Sequence, residues 1–187
     1  MTTVQEMAIP ILFSWLFAET IWDLKDRYIP RWFSIIPLAT GLIHLAWVGN
    51  WPAALLMLIS ILGTHITHPG RYMVVAAPII FLVFLPSMLP LSIGWSLLYL
   101  AWELGWFGGA DALAGAYLLI WFPGWEMLIG IVLGVLVWNV GMALIRYGKD
   151  AGVQIWTKFR LGVPGISTPG LGGFFLALVI LITNMGF

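Results

Sequence analysis

Trp106-Phe107-Gly108-Gly109-Ala110-Asp111 leads directly into Ala112 to Trp121, ten residues that carry no charge. A carboxylate beside so apolar a run is expensive in a membrane unless it faces protein or water, which makes it a functional-site candidate by default. The small residues ahead of it leave room for a second backbone or a substrate to approach. Fold and function both turn on what surrounds this stretch, and on whether the chain supplies Asp111 with a partner.

The surroundings are overwhelmingly apolar. The 187 residues are 61% hydrophobic and only 9% charged, with a mean hydropathy of +1.01. A soluble domain carries about 25% charged residues, so this chain cannot cover a water-facing surface in the usual way. The composition predicts an all-α, polytopic membrane helix bundle. Twelve tryptophans fit the same class, because Trp collects at bilayer interfaces. With no cysteine there is no disulfide framework, thiol nucleophile or cysteine zinc site. A formal net charge of zero gives no reason to expect nucleic acid as a partner. Met1 to Met7 lacks a basic flank, so the first apolar segment is expected to be a retained helix and not a cleaved signal.

In chain order the apolar segments run from about Met7 to Trp22, Ile29 to Val48, Ala53 to Ile66, Tyr72 to Leu85, Leu91 to Leu104, Ala112 to Phe122, Trp125 to Ile145 and Phe174 to Phe187. Several are short of the roughly 20 residues of a full span. Six to eight transmembrane helices are therefore expected, in a single domain covering residues 1–187. Gly49-Asn50-Trp51-Pro52 and Pro123-Gly124 are turn signals. If the segments alternate, all eight Lys and Arg fall in the loops of one side: Lys25, Arg27, Arg31, Arg71, Arg146, Lys149, Lys158 and Arg160. The positive-inside rule makes that side cytoplasmic, and Asp23 and Asp111 lie on it. The Gly- and Pro-rich segment 148–173 is expected to border the site or to lie on the bilayer surface.

The acids differ in what they imply. Glu6, Glu126, Asp26 and Asp150 read as solvated charges. Asp23 ends the first segment with Glu19 one turn before it; it is equally an interfacial carboxylate paired with Lys25 or Arg27, or a functional acid. Asp111 has no basic neighbour in sequence, and function is the better reading. Glu103, eight residues earlier, is either a supporting acid or a structural one. Two carboxylates at one depth can share a proton, so that one takes a proton from water while the other polarises a carbonyl. The same pair can instead relay protons in a small proton-coupled transporter. His65 and His68 are three apart but lack a nearby carboxylate, so no metal is expected, and nothing in the chain calls for a cofactor.

Asp23, five residues, then Ile29-Pro30 resembles the D-x5-I-P element of the prepilin and preflagellin peptidases, and Gly108-Gly109-Ala110-Asp111 resembles their GxGD element. Gly162-Val163-Pro164-Gly165 through Gly173-Phe174-Phe175 is similar to the stretch leading into their last helix. The resemblance implies an intramembrane aspartic endopeptidase with Asp23 and Asp111 as the catalytic pair. Gly108, Gly109, Ala110, Ile29 and Pro30 would shape the backbone around them, and Glu19 and Glu103 would support them. It implies a pilin-like or flagellin-like precursor as partner, cut at the cytoplasmic face of the cell membrane to release a short basic leader. Ala110 replaces a glycine of the family pattern, Arg31 stands where an Asn is usual, and an extra hairpin separates the two motifs. The cysteine-rich domain of many bacterial members is missing, so the likeness is to the archaeal-type form, without methyltransferase activity. Presenilin-type proteases match less well: here Trp22-Asp23 is distant from its partner, and no Pro-Ala-Leu follows.

Overall fold

The computed structural model describes residues 3–26, 29, 31–66, 72, 76, 80–81, 85–104, 108–153 and 171–184. Among them are seven bounded α-helices and no strand: α1 (Thr3–Asp26), α2 (Arg31–Leu45), α3 (Trp51–Gly63), α4 (Leu89–Glu103), α5 (Gly109–Trp121), α6 (Trp125–Tyr147) and α7 (Leu171–Asn184). Three stretches are long and apolar enough to cross a membrane: Thr3–Lys25, Trp32–Gly63 and Trp125–Ile145. In an 18-residue apolar window of each, no more than 33% of the residues are buried inside the protein, which leaves much apolar surface facing outward. In water that would be a far larger apolar patch than a monomer tolerates. The chain has the surface of a membrane protein.

The 32-residue stretch Trp32–Gly63 is not one straight helix. It breaks in the π-type turn Ala46–Asn50, where Gly49 has φ 89° and ψ 0°. That left-handed conformation suits glycine, and Pro52 then sits in the first turn of α3, where its missing N–H costs nothing. No atom lies within 4 Å of where a Cβ on Gly49 would stand. Gly49→Ala therefore isolates the backbone term, and thermal unfolding in detergent should show a loss of about 1–2 kcal/mol.

Side-chain contacts fix the helix directions. Glu19 of α1 meets Tyr117 of α5, and Gln5 near the start of α1 donates to the carbonyl of Trp121 at the end of α5. These two helices are antiparallel. Ser34 of α2 shares Glu19 with Tyr117, while the Trp121 indole donates to the Pro37 carbonyl and stacks on His44, so α2 and α5 are parallel. Leu98 lies over Gly115 and Leu119 over Gly94, which makes α4 and α5 antiparallel. Trp95 donates to Ser60, and Ala53 and Met57 line a small apolar cavity with Met88 and Leu91. By these contacts α3 and α4 run the same way. The chain must return between them, and residues 72, 76, 80 and 81 on that return are helical.

One end of the bundle thus gathers the last turns of α1, α3, α4 and α6 and the first turns of α2, α5 and α7. Lys25, Arg31, Arg146 and Lys149 all lie there, whereas the described residues at the other end include Glu6 and Glu126 and no Lys or Arg. We call the first the basic end. Exposed tryptophans mark both ends, Trp22 and Trp32 at the basic end and Trp47, Trp51 and Trp125 at the other, as interfacial anchors do.

At the centre is α5, which packs against α2, α4, α6 and α7. Ala112 and every residue from Ala114 to Ile120 are buried. Small residues permit this. A Cβ on Gly115 would stand 2.6 Å from Leu98 and 2.8 Å from Phe174. The α6–α7 pair is closer still, with Gly130 and Gly134 facing Gly173 and Ala177 in a small-xxx-small arrangement.

Helix ends depart from the hydropathy reading in three places. α1 continues one turn past Asp23 to Asp26, its last turn holding Lys25, a favourable cation at a helix C-terminus. α5 begins at Gly109, which puts Asp111 in its first turn and not in the break before it. α7 begins at Leu171, because Gly172 and Gly173 are helical and let Trp138 and Val135 of α6 come close.

Candidate active site

The two aspartates of the sequence motifs are carried to the same end of the bundle. Asp23 lies in the last turn of α1 and Asp111 in the first turn of α5, both at the basic end and both half-buried. Helical side chains lean toward their own N-terminus. Asp111 follows this rule, its carboxylate reaching back to Gly108 at the basic end.

Asp111 is held by its own turn. Its Oδ2 accepts the Gly108 backbone N–H at 3.0 Å, the half of a capping box that an acid in the third helical position supplies. Gly108 precedes the helix in an extended conformation, φ −73° and ψ 159°. The glycine is therefore not required there for a left-handed backbone. Its role is space: a Cβ on Gly108 would stand 3.2 Å from Asp111 Oδ2. Gly109 packs against the Trp102 indole of α4, where a Cβ would make ordinary contact at 3.5 Å. Ala110 is in the first helical turn, a conformation alanine favours, so the departure from the family's glycine costs nothing in backbone geometry.

The other sequence candidates divide. Ile29 is buried in the main core. Glu103 ends α4 at the basic end, half-buried, next to the Trp102 that covers Gly109. Pro30, Arg27, the charged part of the 148–173 segment beyond residue 153, and Gly162 to Gly165 of the family-like stretch lie outside the described residues, as does His68.

Glu19 is the acid most changed by the structure. It has no exposed surface. Its Oε1 accepts the Ser34 hydroxyl at 3.0 Å and its Oε2 accepts the Tyr117 hydroxyl at 2.7 Å. Three helices meet on this one carboxylate. Next to it, Trp15 donates to the Phe33 carbonyl at 3.0 Å. Pro37, four residues on, has no N–H to offer that carbonyl, so the indole fills the vacancy proline leaves in α2.

Tyr117 and Ser34 were not anticipated as site residues. The signal was present in both cases, as a hydroxyl within a run otherwise able to sit in hydrocarbon must find an acceptor. Which acceptor depends on helix pairing across 98 positions of sequence. Comparison with protein-family models, with curated proteins and with solved structures finds no match to this chain. The functional reading therefore stands on the motifs and on this geometry.

Proposed function

We propose that the protein is an integral-membrane aspartic endopeptidase that removes the short basic leader of pilin-like or flagellin-like precursors. The observation that supports the reading is that Asp23 and Asp111 both lie at the basic end of the bundle, on two antiparallel helices that Glu19 and Tyr117 join. The helix directions support an eight-pass layout, with the basic end cytoplasmic by the positive-inside rule. A leader rich in Lys and Arg stays on that side, and the scissile bond lies where the leader meets the substrate's hydrophobic helix.

In the proposed reaction a water sits between the two carboxyls. The ionised one takes its proton as the water oxygen attacks the scissile carbonyl, and the protonated one donates to the carbonyl oxygen. The resulting tetrahedral intermediate collapses, the C–N bond breaks, and the leaving amine takes a proton from the pair. No covalent enzyme intermediate forms. The two acids titrate as a unit, so the acid and base roles belong to the pair.

The test is co-expression with tagged pilin-like precursors, read by gel shift. The expected result is a shortened product whose new N-terminus begins the hydrophobic helix. Intact precursors across several leader sequences, with the protein present in the membrane, would overturn the reading. A proton-coupled carrier is the second reading, and the fully buried Glu19 favours it, since buried intramembrane carboxylates mark proton paths. Proton uptake by proteoliposomes on addition of a solute, lost in Glu19→Gln, would support the carrier over the peptidase.

A further inference from the structure

We propose that Glu19 is a positioning residue for the aspartate pair: through Tyr117 and Ser34 it sets the height of α1 against α5 and α2, and with it the separation of Asp23 and Asp111. The inference rests on the peptidase reading above. Three features carry it.

The first is the cost of the residue. A carboxylate sealed in a bundle interior is unfavourable compared with a leucine of similar size. Glu19 is surrounded by apolar core, with Leu16 fully buried one turn before it. Its two hydrogen bonds each go to a different helix, so removing it would release both neighbours at once.

The second is the kind of packing around it. α1 packs mainly against α7, where the rings of Phe13 and Phe17 pack tilted against Phe175, while α5 packs against α2 and α4. The backbones of α1 and α5 are not packed closely together, and Glu19 and Gln5 each bridge the two helices with a hydrogen bond. Apolar packing resists sliding by steric fit and does not single out one pair of atoms. A hydrogen bond of 2.7 Å does single out one pair, and its strength falls steeply with distance and angle.

The third is proximity along the same rigid rods. Asp23 is one turn from Glu19 on α1, about 6 Å along the axis. Asp111 is six residues from Tyr117 on α5, about 9 Å. A shift of either helix at the Glu19 junction is therefore transmitted to the carboxyls. A misplacement of about 1 Å can lower a rate by about 10²-fold. Gln5 ties the far end of α1 to the end of α5.

The native chain has no cysteine, which gives the inference a test independent of peptidase activity. Asp23→Cys and Asp111→Cys are introduced together in the full-length protein in native membranes, and bis-maleimides of graded length are applied. The shortest linker that joins the pair should lose several-fold in yield when Tyr117→Phe or Glu19→Leu is added. Glu19→Gln should retain the yield, since its amide oxygen can accept from Tyr117 and its amide N–H can donate to the Ser34 hydroxyl. In protein with both aspartates intact, Tyr117→Phe should lower kcat about tenfold with KM unchanged, and Glu19→Gln should restore most of it relative to Glu19→Leu. A merely structural role would lower the amount of folded protein and leave kcat per folded molecule alone. If Glu19→Leu does not accumulate, Tyr117→Phe and Ser34→Ala carry the same comparison.

Unchanged cross-linking in folded Tyr117→Phe overturns the positioning role. So does loss of cleavage in Glu19→Gln with cross-linking intact, because the charge and not the geometry would then matter. Failure of the intact protein to cleave any precursor, with the cross-linking pattern as expected, overturns the peptidase reading and leaves Glu19 as the anchor between α1 and α5.

Discussion

Asp23→Asn and Asp111→Asn should each abolish leader removal, lowering the rate on the order of 10³-fold or more, while the protein still inserts and folds. Each change keeps the shape of the side chain and removes its capacity to exchange a proton. At position 111 the amide oxygen can still accept the Gly108 N–H that now binds Asp111 Oδ2 at 3.0 Å, so the first turn of α5 survives the substitution. Loss of a positioned acid or base costs about 10²–10⁴-fold, and a pair that shares one proton has no second route. The double variant should be no worse than either single one, because groups acting as a unit are not additive. Glu6→Gln, exposed at the opposite end, is the control. The measurement is the fraction of precursor converted at matched membrane levels of enzyme. Normal conversion by either single variant would remove the dyad.

The second large effect is expected at Gly134→Leu. A Cβ at this position would collide with the Gly173 carbonyl oxygen and stand 2.7 Å from the Ala177 nitrogen. Both obstacles are backbone, so no rotamer change relieves them. α6 and α7 would have to separate along the most closely packed interface of the bundle, which should destabilise the fold by about 3 kcal/mol or more. Gly141 provides the contrast on the same helix, since nothing lies within 4 Å of its Cβ position. Gly141→Ala should stabilise by about 0.5–1 kcal/mol, the helix-propensity difference alone. Thermal unfolding in detergent compares the two. Similar behaviour of both variants would mean that α6 and α7 do not pack as described.

The helices themselves were legible because their apolar runs are long and their punctuation is strong. Gly49 and Pro52 foretold the break between α2 and α3, since one needs freedom in φ and the other cannot continue a helix. The ends were harder to read. Asp23, Lys25 and Asp26 look like a loop by hydropathy, yet Lys25 suits a helix C-terminus and α1 continues through them. Gly108 to Asp111 looks like a break by composition, yet an acid two residues into a helix is a good N-terminal residue. The presence of costly acids at 19, 23 and 111 was visible. The partners of Glu19 were not, because the Glu19–Tyr117 bond depends on α1 and α5 being antiparallel, which no local pattern encodes. The placement of α5 at the centre was hidden for the same reason. Its alanines and Gly115 record how tightly neighbours approach, and only the fold says which neighbours they are.

The close packing of α6, α7 and α5 also works as a depth gauge. Gly134 of α6 is level with Gly173, and the adjoining Phe174 reaches Gly115 of α5. From Gly115 to Asp111 is about 6 Å of helix, and from Gly134 to Ile145 about 16 Å in the same direction. Ile145 closes the 21-residue apolar stretch of α6, which is about the thickness of a bilayer's hydrocarbon. If α6 crosses the membrane over that stretch, Asp111 lies about 10 Å beneath the surface. In the proposed peptidase, a peptide bond would then have to be drawn down to the acids, together with the water that cuts it. A precursor helix already threaded through the same bilayer presents its leader junction at the rim of such a well, whereas a soluble peptide would have to leave water to reach it.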